Sequence, residues 1–102
     1  MNRDNNFLLR GIVASDPEKK ELSQYELAEV IVQCPTSAKS KNAPQEAFIP
    51  LTGWGDVANT ILSCVKGDRI EAYGEIRSRQ WENPAGKTLT FFSFVAEKVV
   101  KS

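Results

Sequence analysis

Only one stretch of this chain carries a helical period, and strand-like segments lie on both sides of it. From Asp56 to Val65 (DVANTILSCV), Val57, Ala58, Ile61, Leu62 and Val65 recur at steps of three and four and form one apolar stripe. Asp56 stands where a carboxylate favours the helix dipole and can cap free N–H groups. Gly67, after Lys66, suits the left-handed position that closes a helix. Nearly everything else alternates with a period of two. A chain of 102 residues has no room for a second core, and one helix is too few for a parallel βαβ fold.

Three strands precede the helix. Phe7 to Ala14 (FLLRGIVA) stops at the turn signal Ser15-Asp16-Pro17-Glu18, and Lys19-Lys20-Glu21 reads as a solvated connection. Leu27 to Gln33 sets Ala28, Val30 and Val32 on one face and Leu27, Glu29, Ile31 and Gln33 on the other. Ala47 to Thr52 sets Ile49 and Leu51 against Phe48, Pro50 and Thr52, and Pro50 places that point at an edge or a bulge. Between them Cys34 to Glu46 (CPTSAKSKNAPQE) reads as a long flexible loop, a length that is often functional.

Two longer strands follow the helix. In Arg69 to Trp81 the buried row is Ile70, Ala72, Gly74 and Ile76, while Arg69, Glu71, Tyr73, Glu75, Arg77, Arg79 and Trp81 face outward. Glu82 to Lys87 is a hairpin turn. Thr88 to Val100 carries Phe91, Phe92 and Phe94 on both faces. One of Phe91 and Phe92 is assigned to the core, the other to a platform or a subunit contact. Three strands, a helix and two strands, with glycine kinks, give an all-β OB-fold, a five-stranded Greek-key barrel in a single domain over residues 1–102. The helix, between strands three and four, plugs one open end.

Composition narrows the function. Thirteen Lys and Arg balance thirteen Asp and Glu, and there is no histidine, so the commonest general base and the commonest metal ligand are both missing. No carboxylates cluster to replace them. A binding protein without catalytic residues, metal or cofactor is expected. Bulk charge offers no attraction to a polyanion, so stacking and local charge must supply it. Cys34 and Cys64 allow one disulfide at most, and their spacing fits no zinc or redox motif. With no apolar run near the ~20 residues of a membrane span and no signal-peptide pattern after MNRDNN, a reduced cytoplasmic protein is expected.

The outward residues suggest what is bound. Phe48 and Trp54 lie on, or directly after, the strand-three face opposite Ile49 and Leu51, and Trp81 shares a face with Arg77 and Arg79. A base stacked on such a ring gains ~1–3 kcal/mol whatever its identity. Arginine beside it meets phosphate or stacks by cation–π attraction. The glycines flanking Trp54 leave it uncovered and let a ligand backbone approach. Lys39 and Lys41, in the long loop, are either solvated or close over a bound strand. Each feature has a plainer use too. Outward rings serve oligomer contacts, and Arg77 and Arg79 can pair with Glu71, Glu75 or Glu82.

These segments resemble the bacterial single-stranded DNA-binding proteins. NNFLLRGIVASDPE is similar to that family's opening strand and turn, and FIPLTGWGDVANTILSCVKGDRIEAYGEIRSRQWENPAGK to its central block. The resemblance implies base stacking at Phe48, Trp54 and Trp81, with Arg77 and Arg79 along the path of the strand. It also implies roles in DNA replication, recombination or repair, and a homo-oligomer, tetramer or dimer, assembled partly through the first strand.

Four features depart from the family pattern. The usual aromatic at the loop entrance is missing, Pro50 and Asp56 stand where basic residues are frequent, and the charge balance is neutral. The sequence also ends at Lys101-Ser102 without a glycine-rich linker and acidic tail, so weaker binding is expected and recruitment through a tail is not. The short form also resembles the dimeric primosomal replication protein PriB, whose partners are replication-restart proteins. The alternative class is an OB-fold protein-interaction module with little nucleic-acid affinity.

Overall fold

A strand that is apolar at every second position buries one face only, so strands of this kind must wrap around a shared interior. The structure, a computed structural model, describes residues 4–22, 25–37, 39–43 and 45–102, with residues 21, 22 and 25 described by backbone alone. Its elements are β1 (Phe7–Val13), β2 (Glu18–Leu22), β3 (Tyr25–Pro35), β4 (Glu46–Trp54), α1 (Gly55–Leu62), β5 (Arg69–Glu82) and β6 (Thr88–Lys101). Along the sheet the order is β1-β5-β6-β4-β3-β2, and β1 also pairs with β3. That pairing closes five strands into a ring and leaves β2 outside it. Ring neighbours run antiparallel except β4 and β6, which pair in parallel at Leu51↔Phe94 and Thr52↔Val95. The expected five-stranded ring is present, with its helix between the third and fourth ring strands.

The sixth strand corrects the reading of Lys19-Lys20-Glu21 as a connection. β2 pairs with β3 from Glu18↔Glu29 to Leu22↔Tyr25. Diagonal ion pairs cross the hairpin, Lys19 to Glu26 at 3.3 Å and Lys20 to Glu29 at 3.8 Å. Strand formation here comes from the partner's ladder, and charged residues on the outer strand suit an exposed sheet edge. Pro50 lies opposite Ile31 of β3, and β6 pairs with β4 only from Leu51 onward, so Pro50 falls at an edge as expected.

The interior is built from the faces that the alternation assigned. Val13, Ala28, Val30, Val32, Leu51, Ile70 and Ala72 are buried together with Ala58 and Ile61 of α1. Burial of a side chain the size of Leu51 or Ile61 contributes about 1.5–3 kcal/mol. The helix is shorter than its apolar stripe. It ends at Leu62, with Ser63 as its C-cap, and Val65 is exposed while Cys64 is buried in its place. The Lys101 ammonium donates to the Ser63 carbonyl at 2.8 Å and ties the end of β6 to this terminus. Gly67 does adopt a left-handed φ of 94°, but in the turn into β5. Asp56 lies in the first turn, and the N-cap residue Trp54 makes no side-chain cap hydrogen bond.

Cys34 and Cys64 are free thiols, both buried, and burial pushes each thiol above its ordinary pKa. The loop between β3 and β4 is closed by its own hydrogen bonds. Thr36 N–H donates to the Gln45 carbonyl at 2.9 Å, and the Gln45 amide donates to the carbonyls of Ser40 and Ala43. Among the described residues no helix is long and apolar enough to cross a membrane.

β5 and β6 outrun the ring. From Ile76 to Glu82 and from Thr88 to Ser93 both faces are exposed, so the two strands form an arm. Asn83 closes its tip, its side-chain oxygen accepting from the N–H groups of Ala85 and Lys87 at 3.0 Å. Two expectations change here. Ile76 leaves the buried row because the row passes beyond the core, and neither Phe91 nor Phe92 is a core residue. Phe94 takes that position, half-buried in an edge-to-face contact with Phe7 at 5.5 Å.

Candidate nucleic-acid interface

Side chains two apart on a strand share a face, and the ladder shows which faces join. On the arm, Trp81 stands opposite Leu89, Arg79 opposite Phe91, Arg77 opposite Ser93 and Glu75 opposite Val95. Val95 in turn pairs with Thr52 of β4, so Thr52 and Trp54 continue the same outer face across the ring. One surface therefore runs from the tip of the arm to the start of α1.

Two adjoining cavities open on it. The larger, about 370 Å³, is lined by Arg79, Gln80, Trp81 and Phe91. The smaller, about 170 Å³, is lined by Thr52, Trp54, Arg77, Ser78, Arg79, Phe91, Ser93 and Val95. Arg79 and Phe91 belong to both. The indoles of Trp54 and Trp81 are 37% and 58% exposed, so both reach solvent from a shared groove.

Local packing explains how Trp54 is held there, and it revises the reason for its flanking glycines. A Cβ at Gly53 would lie 2.7 Å from both Ile61 Cδ1 and Val57 Cγ1, so α1 packs directly on the strand at this point. Gly55 turns the chain into α1 with φ of 59°, a conformation that other residues rarely adopt. Trp54, extended at φ −118° and ψ 152°, is the N-cap residue between them. The glycines serve packing and the turn, while the alternation along β4 directs the Trp54 ring outward.

The arginines differ. Arg77 Nε pairs with Glu75 Oε1 at 2.7 Å, two residues along the same face. Such exposed pairs contribute ~0–1 kcal/mol, little enough for a phosphate to displace the carboxylate. Among the described residues Arg79 has no ion-pair partner. Farther down β5 the outer face is internally paired: Arg10 meets Glu71 at 2.8 Å, and the Tyr73 hydroxyl donates to Glu71 at 2.8 Å. That hydrogen bond raises the Tyr73 pKa. Among the described residues no three His, Cys, Asp or Glu side chains gather as metal ligands.

Of the residues singled out in the sequence, the structure brings Trp54, Arg77, Arg79 and Trp81 into one groove. Phe48 is exposed on the same face of β4, opposite Gln33, but six residues from Trp54. At ~3.3 Å per residue the separation is about 20 Å, and Phe48 lines neither cavity. Lys39 and Lys41 are exposed in the loop and also line neither. Phe91, one of the two phenylalanines between which the sequence did not choose a platform, lines both cavities. Its face follows from counting the ladder outward from the Asn83–Lys87 turn, which sets it opposite Arg79.

Comparison with known proteins agrees with this architecture. The Single-strand binding protein family matches residues 4–101. A small single-stranded DNA-binding protein from Streptomyces coelicolor superposes with a TM-score of 0.71 at 19% identity, over 100% of this chain and 96% of that one. The single-strand-binding domain of a Synechococcus sp. protein gives 0.69 at 22% identity, over 97% of each chain. Both likenesses support the OB-fold assignment. The search of curated protein sequences finds no match.

Proposed function

The chain belongs to the single-strand binding protein family, and we propose that its groove is the surface that holds single-stranded DNA. Bases stack on Trp54 and Trp81, Arg79 meets phosphate, and Arg77 does so by exchanging Glu75 for it. Phe48 extends the path along β4, and Lys39 and Lys41 flank it from the loop. Stacking is blind to base identity, which makes the binding tolerant of sequence and suits a role in DNA replication, recombination or repair.

One observation carries this reading: two exposed indoles open onto a common groove whose shared wall holds an arginine with no ion pair among the described residues. A buried or divided arrangement of those rings would not admit a continuous strand.

Assembly into a homo-oligomer, dimer or tetramer, belongs to the same proposal, as does action in the cytoplasm. Among the described pairings β1 meets β3 only at Ile12 and Val13, so the ladder side away from β5 is open from Phe7 to Arg10. Leu8, Ile12, Tyr73 and Val100 stand exposed on the adjoining outer faces around the Arg10–Glu71 ion pair, a mixed apolar and charged surface that a second copy would cover.

Fluorescence anisotropy of labelled oligo-dT at low salt tests the function, with duplex DNA of equal length as the comparison. Saturable binding to the single strand, stronger than to the duplex, is expected. Failure to bind at low salt would leave an OB-fold module that meets proteins instead.

A further inference from the structure

Phe91 lies outside the hydrophobic core. It sits on the arm beyond the ring, is 53% exposed, and its cross-strand partner is the exposed Arg79. Yet it lines both cavities. We propose that Phe91 is a third stacking ring, which divides the groove into two successive nucleobase compartments, one toward Trp81 and one toward Trp54. The proposal rests on the single-strand binding proposed above and adds its internal layout.

The chemistry of each compartment supports the division. Toward the arm tip, Trp81 and Phe91 line a space with Arg79 and the strand at Gln80. Toward the ring, Trp54 and Phe91 line a space with Arg77, Arg79, Thr52 and Ser93. Each compartment thus combines two π-faces with at least one cation, the pairing that one nucleotide needs for its base and its phosphate. Arg79, common to both, lies where the backbone would pass from one to the other.

The neighbouring residue supplies an internal control. Phe92 is 69% exposed but points to the opposite face, across from Ser78, and lines neither cavity. General apolarity of the arm would make Phe91 and Phe92 equivalent. Stacking makes them different.

The test is a titration of the full chain with oligo-dT, read by anisotropy at low salt, for wild type, F91A, F91L, F91Y and F92A, with folding checked by circular dichroism. Truncating a stacked ring is expected to weaken F91A by ~5–150-fold. F91L, apolar but without a π-face, should remain weakened, F91Y should bind close to wild type, and F92A should be unchanged. The leucine and tyrosine variants keep the comparison valid if the alanine variant folds poorly. A base held between Trp81 and Phe91 loses both rings together, so the loss in W81A/F91A should be smaller than the product of the single losses. Wild-type binding with F91L equal to wild type, or with F91A and F92A equally weakened, would overturn the role of Phe91 while leaving single-strand binding intact. Strictly multiplicative losses would overturn the shared compartment. A wild-type chain that does not bind would overturn the functional proposal itself.

Discussion

Arg79 faces Phe91 across the β5–β6 ladder, and this cross-strand pair stands in the wall of both cavities. Arg77, two residues away, lines only the smaller cavity and already holds Glu75. The two arginines are therefore unequal, although the sequence presents them as a symmetric pair.

Arg79→Ala is expected to weaken oligo-dT binding more than Arg77→Ala. It should also reduce the slope of log affinity against log salt by about 0.7, the value for one phosphate contact on a single strand. Binding isotherms between low and physiological salt check this. Equal losses in both variants would mean that the Glu75 pair does not restrain Arg77.

Trp54→Ala and Trp81→Ala should each cost ~1–3 kcal/mol of binding, with any oligonucleotide long enough to fill both cavities. Phe48 is about 20 Å farther along β4, so Phe48→Ala should spare such short oligonucleotides and weaken only longer ones. A length series of oligo-dT separates these effects. Equal sensitivity of short and long ligands to Phe48→Ala would contradict the path drawn along β4.

Gly53→Ala tests the packing of α1 on β4 beside Trp54. The added methyl meets Ile61 and Val57 side chains at 2.7 Å, so overpacking should destabilise the fold by ~1–3 kcal/mol. In a domain of this size each kcal/mol lowers Tm by roughly 4–8 °C. An unchanged melting temperature would show that α1 yields freely at this contact.

These residues also show how far the sequence could be read. Alternation placed Arg77, Arg79 and Trp81 on one face correctly, because a strand's period is fixed by its backbone. The same rule failed at Ile76, since burial depends on where the arm leaves the ring, a tertiary fact. Phe91 and Phe92 were indistinguishable by pattern because both faces of the arm are exposed and both residues are apolar. Only the register across the turn separates them. β2 was invisible because Lys19, Lys20 and Glu21 carry no apolar signal and form a strand through pairing with β3. Gly53 and Gly55 were noticed but explained by ligand approach, when contact with α1 and a left-handed turn require them.

The two thiols predict a pH effect. Burial raises both cysteine pKa values, so the folded chain keeps protons that the unfolded chain releases above its ordinary thiol pKa, ~8.5. The stability this linkage supplies is complete below that pH and is lost as pH rises through the raised folded values. Denaturant titrations should show the decline at alkaline pH, reduced in a Cys34→Ala/Cys64→Ala variant compared with its own neutral-pH stability. The native thiols should also react slowly with a disulfide reagent at neutral pH and quickly once denatured. Fast reaction in the native state would contradict their burial.

The most direct test uses the two indoles separately. With Trp54→Phe and Trp81→Phe, each variant keeps one tryptophan, and each is titrated with oligo-dT while its fluorescence is followed. Both remaining indoles should be quenched and should saturate at the same ratio of DNA to protein, as residues of one groove must. Quenching of only one, or of neither under conditions where the oligonucleotide is bound, would contradict the shared groove.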